Sequence, residues 1–268
     1  MNYEQIIFEK HDSVTLITLN RPERQNAWTY HMRGELIDAI IKSNNDPSIG
    51  AIIMTGAGKG FCAGADMQAT FRSRMNGENP AKMAAEAREM EYDYQSVDWV
   101  DLVRSSKPLI AAVNGAAVGV GLTQILPFDV IIASEKARFG MFFIKMGIVP
   151  ELASTYFLVQ RMGFGKASEM ALSGRLYGAQ EAFEKGLADR IVPHEKLMDE
   201  AFAVAKEIAA NPVPQLIMIK KLITQNASET DLQLVSSREH ELLEYCYNTP
   251  EHKEAVQAFL EKRPPKFR

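Results

Sequence analysis

Hydrophobic and polar positions divide the first part of the chain into short apolar runs and one helical pattern. Residues 14–20 (VTLITLN) alternate in the manner of a strand, and residues 51–56 (AIIMTG) form a continuous apolar run typical of a buried strand. Between them, residues 29–44 predict a helix, because apolar side chains recur at helical spacing: Met32, Leu36, Ile37, Ile40 and Ile41.

The same alternation of element types continues further along the chain. Residues 82–106 predict a long helix, and residues 108–115 and 128–134 predict further apolar strands. Glycine-rich turns follow the strands, so the order of strand, turn, helix and strand predicts an α/β chain of related units. From Gly165 onward the pattern is mainly helical. We therefore expect a core over residues 1–200 and a C-terminal helical region over residues 201–268.

Composition narrows the class of protein. Among 268 residues, 46% are hydrophobic and 24% charged, and the net charge of -4 argues against a nucleic-acid partner. Only Cys62 and Cys246 are cysteines, which favours a reducing, cytoplasmic environment. No run of 18 apolar residues occurs and no signal peptide is visible, so we expect no association with a membrane.

Two glycine-rich loops are the first candidates for chemistry. Residues 56–66 (GAGKGFCAGAD) lack the Lys-Ser or Lys-Thr of a P-loop, and the simplest interpretation is a strand-to-helix turn. Their small residues Ala63, Gly64 and Ala65 nevertheless allow a ligand to approach backbone N–H groups. Residues 114–124 (NGAAVGVGLTQ) repeat this composition. Two such loops predict an oxyanion hole, since that site needs two N–H donors directed at one oxygen.

A single carboxylate stands out at Glu151, between Val149-Pro150 and an apolar segment. Taken alone it is most simply a solvated residue of a first helical turn, where an anion is favoured. The five histidines show no metal-ligand spacing and no HExxH motif. We therefore expect neither a metal nor a separate cofactor.

Several segments, in this order and at this spacing, resemble the crotonase superfamily of enoyl-CoA hydratases and isomerases over most of the chain. They are LNRPERQNAW (19–28), GKGFCAGADM (58–67), KPLIAAVNGAAVGVG (107–121), FDVIIASEKARFG (128–140), GIVPELAS (147–154) and AFLEKRPPKF (258–267). The resemblance implies a spiral core of ββα units with a C-terminal helical region that builds trimers or dimers of trimers. It also implies an acyl-CoA thioester substrate, with coenzyme A as part of the substrate.

The same resemblance assigns roles to particular residues. The backbone N–H groups of Ala65 and Val120 would hold the thioester oxygen. Arg24 would contact the CoA phosphates. The remaining residues implied to bind CoA or substrate are Ala63, Gly64, Asp66, Met67, Gly119 and Phe143.

Two positions depart from the hydratase pattern. The hydratases of this superfamily use two glutamates, and the matching positions here carry Thr123 and Phe143. The Pro-Glu of GIVPELAS instead resembles the peroxisomal-type Δ3,Δ2-enoyl-CoA isomerase branch, in which Glu151 would be the sole acid–base group. We expect its carboxylate to face an apolar acyl pocket, where burial raises a carboxyl pKa. A hydratase, another crotonase reaction and a non-catalytic acyl-CoA-binding module remain the alternatives.

Overall fold

In the computed structural model, which describes residues 3–72, 75–77 and 96–268, a six-stranded sheet has the order β1-β2-β3-β4-β6-β9. Its first two strands form an antiparallel hairpin, and every later pairing is parallel. The strands are β1 (Ile6–His11), β2 (Val14–Leu19), β3 (Ala51–Gly56), β4 (Leu109–Val113), β6 (Val130–Ser134) and β9 (Arg190–Val192).

The chain also forms a second sheet of three short strands. It consists of β5 (Ala116–Val118), β7 (Arg138–Gly140) and β8 (Leu176–Gly178) in the order β5-β7-β8. Strand β4 of the large sheet is followed directly by β5 of the small sheet, and β6 is followed in the same way by β7. The chain thus alternates between the two sheets in successive turns, as the resemblance to crotonases implied.

Helices cover the sheet and form the C-terminal part of the chain. They are α1 (Tyr30–Asn45), α2 (Trp99–Ser105), α3 (Val120–Thr123), α4 (Ser154–Met162), α5 (Phe164–Ser173), α6 (Ala179–Glu184), α7 (Leu197–Ala209), α8 (Val213–Asn226), α9 (Leu232–Tyr247) and α10 (Pro250–Leu260). None of the helices in the described part of the chain is long and apolar enough to cross a bilayer.

Alternate residues of the central strands pack into two different cores, as the period of two in a strand requires. Ile53 and Ile110 face helix α7, whereas Ile52 and Met54 belong to the larger core that contains α1. Helix α1 begins at Thr29, whose side-chain oxygen accepts the N–H of Met32 at 3.0 Å. The sheet is therefore buried on both faces, which explains its continuous apolar runs.

The helical C-terminal region is present, and an ionic cluster attaches it to the core. Lys220 of α8 is only 4% exposed, and its Nζ lies 2.7 Å from Oδ2 of Asp129. Arg104 of α2 contacts the other carboxylate oxygen of Asp129 at 2.9 Å. The expected division near residue 200 falls within α7, and it stays a prediction.

Candidate active site

The two glycine-rich loops lie side by side. The N–H groups of Phe61 and Cys62 both donate to the carbonyl oxygen of Ala116, at 3.1 and 2.8 Å. The N–H of Val118 donates in return to the carbonyl oxygen of Cys62 at 3.0 Å. Strand-like pairing at Cys62 and Ala117 therefore sets the relative position of the two loops.

Glycine is required where the loops touch. A Cβ at Gly121 would lie 2.2 Å from the carbonyl oxygen of Cys62, and one at Gly115 would lie 2.0 Å from that of Lys59. Gly64 has φ +109° and Gly119 has φ +54°, a region that other residues adopt with strain. The glycines of the sequence motif thus allow the close backbone contact that brings the two candidate donors together.

Ala65 and Val120, the two expected donors of an oxyanion hole, line one cavity. Within the described ranges, neither backbone N–H donates to a protein acceptor. The N–H of Val120 is at the first residue of α3, where no acceptor exists within the helix. Two N–H groups are therefore available for an oxygen of a bound molecule.

The cavity has a volume of about 420 Å³ and is mainly apolar. Four chain segments contribute: Trp28 with Tyr30, the first glycine-rich loop with the π-helical turn Met67–Arg72, the second glycine-rich loop, and the residues around the 3-10 turn Phe142–Met146. The described residues that line it are Trp28, Tyr30, Ala63, Gly64, Ala65, Met67, Thr70, Phe71, Val118, Gly119, Val120, Phe142, Phe143, Met146, Ile148, Val149 and Glu151. This composition suits an apolar ligand with one polar group at the donors.

Glu151 is the only carboxylate among the described lining residues. It precedes helix α4, and the two residues between them, Leu152 and Ala153, have positive φ values of 54° and 50°. The expectation of a buried carboxylate is wrong for the chain described here: Glu151 is exposed, and Val149 beside it is 81% exposed. Apolar neighbours in the sequence indicated a core, but this segment is exposed and lines the cavity.

The two positions at which hydratases carry glutamates are not acidic here. Phe143 lines the cavity and is only 8% exposed, so its ring makes that part of the wall apolar. Thr123 is fully buried in α3 and is not among the lining residues. Neither side chain is an acid or base near neutral pH.

Asp66 and Arg24, both expected to bind coenzyme A, are not among the residues lining the cavity. Asp66 pairs with Arg21 at 3.1 Å and accepts the N–H groups of Gln68 and Ala69. Burial alone would raise the pKa of Asp66, but these N–H groups and Arg21 together lower it below its usual value. Arg24 is exposed on the 3-10 turn Pro22–Arg24.

Sequence reasoning missed several residues of the cavity wall. Trp28 and Tyr30 line it, with ring centroids 5.1 Å apart, and Thr70 and Phe71 belong to the π-helical turn Met67–Arg72. Trp28 is the last residue of the motif LNRPERQNAW (19–28), and membership of this motif was the one sequence signal for its place in the site. A π-helical turn leaves no periodic pattern in so short a segment.

Cys62 is not among the residues that line the cavity. Cys62 is fully buried in the first loop, and burial raises the pKa of its thiol to about 11. Across residues 3–72, 75–77 and 96–268, no cluster of three or more His, Cys, Asp or Glu side chains has the arrangement of a metal site.

Comparison with known proteins agrees with this fold. A sequence model of the enoyl-CoA hydratase/isomerase family matches residues 9–268. The chain is 35% identical over 267 residues to a probable enoyl-CoA hydratase, echA8, of Mycobacterium bovis, covering 100% of this chain and 99% of that protein. It is 34% identical over 269 residues to the 1,2-epoxyphenylacetyl-CoA isomerase of Escherichia coli, covering 98% of each.

Solved structures show the same relationship. An enoyl-CoA hydratase from Bacillus anthracis superimposes with a TM-score of 0.86 at 31% identity, covering 98% of this chain and 99% of that one. The alternating sheets, the paired glycine-rich loops and the C-terminal helices define a crotonase-type fold. The chain belongs to the enoyl-CoA hydratase/isomerase family.

Proposed function

We propose that this protein is an enoyl-CoA isomerase that moves the double bond of a 3-enoyl-CoA to give a 2-trans-enoyl-CoA, with Glu151 as its single acid–base group. One observation carries the proposal: Glu151 is the only carboxylate among the described residues of a cavity that also contains two N–H groups without protein acceptors. Phe143 and Thr123, at the positions of the hydratase glutamates, support it further.

The chemistry requires only these groups. The Glu151 carboxylate removes a proton from C2 of the thioester, and the resulting negative charge spreads over a dienolate onto the thioester oxygen. The N–H groups of Ala65 and Val120 stabilise that oxygen, and donors of this kind are worth about 3–4 kcal/mol each in a transition state. The carboxyl group then returns the proton at C4, so that C3=C4 becomes C2=C3 with no change in mass.

The remaining parts of an acyl-CoA would occupy the rest of the site. We assign the acyl group to the apolar wall around Phe143, and the pantetheine and adenine to Ala63, Gly64, Asp66, Met67 and Gly119. The exposed guanidinium of Arg24 would contact the CoA phosphates. Coenzyme A enters as part of the substrate, and the proposed reaction needs no other cofactor.

We also propose that the chain acts in the cytoplasm as a homotrimer or a dimer of trimers. Large apolar side chains exposed on the last two helices support an assembly, because extensive exposed apolar surface marks interfaces. They include Leu232, Leu243 and Tyr245 of α9 and Phe259 and Leu260 of α10. Sedimentation equilibrium measures the mass directly, and a monomer at micromolar concentration would contradict this proposal.

The function is tested by incubating the purified protein separately with 3-hexenoyl-CoA and 2-hexenoyl-CoA, followed by mass and ultraviolet absorbance. An isomerase conjugates the 3-enoyl thioester at constant mass. A hydratase, the activity in most of the relatives' names, adds one water to the 2-enoyl thioester instead. Binding of both thioesters without conversion would identify a binding module and reject the proposed activity.

A further inference from the structure

Two buried asparagine amides converge on one backbone carbonyl oxygen. Nδ2 of Asn26 lies 2.9 Å from the carbonyl oxygen of Gly60, and Nδ2 of Asn114 lies 3.2 Å from the same oxygen. Asn26 also donates to the carbonyl oxygen of Ala57 at 2.9 Å, and Asn114 to that of Gly56 at 2.9 Å. We call this pair of side-chain amides on Gly60 the amide clamp.

The amide clamp joins the loops that lead into three of the four segments lining the cavity. Asn26 belongs to the loop that leads to Trp28, Gly60 to the loop that leads to Ala65, and Asn114 to the loop that leads to Val120. All three end residues line the cavity. The carbonyl oxygen of Gly60 is therefore a contact shared by the loops that lead to Trp28, Ala65 and Val120.

Backbone hydrogen bonds also connect the Asn26 loop to the residues around Ala65. The N–H of Ala63 donates to the carbonyl oxygen of Gln25 at 3.0 Å, and the N–H of Trp28 donates to that of Gly64 at 2.8 Å. The N–H of Asp66 donates to the carbonyl oxygen of Trp28, also at 2.8 Å. The carbonyl group of Gly64 and the N–H of Ala65 share one planar peptide unit, so the bond from Trp28 fixes the direction of that N–H.

Asparagine suits this place better than other residues. Asn26 is fully buried with φ 56°, a conformation that asparagine adopts more readily than most residues. Its Oδ1 accepts the N–H of Arg21 at 2.8 Å while its Nδ2 donates to two carbonyl oxygens. One side chain therefore satisfies three backbone groups, of which that of Gly60 is buried, and maintains the loop conformation.

We propose that Asn26 and Asn114 are positioning residues of the oxyanion hole, acting through Gly60 to hold the N–H groups of Ala65 and Val120 in place before substrate binds. This inference rests on the proposed function, because it assigns both N–H groups to the thioester oxygen. Donors that are held in place in advance stabilise developing charge without reorganising during the reaction.

The test uses 4-(dimethylamino)cinnamoyl-CoA, a thioester whose absorbance shifts to longer wavelength when its carbonyl oxygen accepts strong hydrogen bonds. Asn26→Gly keeps a residue suited to the positive φ, and Asn114→Ala removes the second amide. We expect both variants to bind the probe with a clearly smaller red shift than the wild-type protein. With 3-hexenoyl-CoA we expect kcat to fall about tenfold to a hundredfold and KM to change little.

Asn44→Ala is the matched control. Its side chain also bridges two segments, donating to Oγ of Ser106 at 2.9 Å and accepting the N–H of Lys107 at 3.1 Å, but it does not line the cavity. We expect a lower melting temperature, an unchanged red shift and an unchanged kcat. A loss of red shift in this control equal to that in the clamp variants would attribute the effect to general destabilisation and overturn the proposal.

The remaining outcomes separate the two proposals. A full red shift in both clamp variants would overturn the positioning role. Failure of both variants to fold would also overturn it, because the amides would then serve folding alone. A red shift in the wild-type protein that the variants lose, without isomerisation of 3-hexenoyl-CoA, would reject the isomerase and retain the clamp. No red shift in the wild-type protein would reject the oxyanion hole and the clamp with it.

Discussion

Replacing Gly121 by alanine tests whether the close contact between the two loops is needed for stability and catalysis. The new Cβ would lie 2.2 Å from the carbonyl oxygen of Cys62 and 2.8 Å from its Cβ. The loops would have to separate by about 1 Å, because overpacked atoms displace side chains and backbone at a cost of about 1–3 kcal/mol. For a chain of this size that corresponds to a melting temperature lower by roughly 2–12 °C.

The same displacement acts on catalysis, because Gly121 follows the donor Val120. A misplacement of about 1 Å costs on the order of a hundredfold in rate, so we expect kcat for 3-hexenoyl-CoA to fall by about that factor. Gly165→Ala is the control: no atom lies within 4 Å of its new Cβ, and the residue is helical. It should keep full activity and raise stability by up to about 1 kcal/mol. A wild-type melting temperature and a wild-type kcat in Gly121→Ala would show that neither stability nor catalysis needs the close contact between the loops.

Three further predictions concern the ionic cluster and the cysteines. Asp129→Asn leaves Lys220 buried without its carboxylate and should reduce the free energy of unfolding, measured by urea titration, by about 3–5 kcal/mol. Lys220→Met should change the free energy of unfolding little. Equal losses in the two variants would contradict this prediction. Burial lowers the pKa of Lys220 to about 8, so the unfolded state binds more protons between pH 8 and 10.5 and stability rises with pH in that window. Lys220→Met should therefore gain less stability than the wild-type protein between pH 8 and 10, and an equal gain would be evidence against a buried, neutralised lysine. Iodoacetamide at pH 8 should label the partly exposed Cys246 well before the buried Cys62, as peptide mass mapping would show; faster labelling of Cys62 would contradict its burial and raised pKa.

The long apolar and amphipathic segments could be predicted from the sequence, and the shortest elements could not. Strands β2, β3, β4 and β6 and helix α1 lie where the pattern placed them, because each buries a continuous or periodic set of side chains. The predicted helix over 82–106 is described only at Trp99–Ser105, and residues 82–95 lie outside the described residues. Three-residue strands such as β5 and β8 are too short to show a period.

The candidate site was predicted through motif resemblance more than through pattern. Hydrophobic periodicity contains no information about two loops that meet through Cys62 and Ala116, far apart in the sequence. The paired glycine-rich composition indicated two donors, and both Ala65 and Val120 line the cavity. The exposure of Glu151 was missed, because apolar neighbours such as Val149 indicate burial even when they border a cavity.

Steady-state conversion of 3-hexenoyl-CoA by Glu151→Gln measures whether Glu151 alone transfers the proton. The matched control is Glu135→Gln, an exposed glutamate outside the cavity. We expect kcat of Glu151→Gln to fall by about 10²–10⁴, the usual contribution of a general acid–base group, with KM nearly unchanged and Glu135→Gln fully active. Conversion by Glu151→Gln at the wild-type rate would contradict the account, since another group would then have to move the proton.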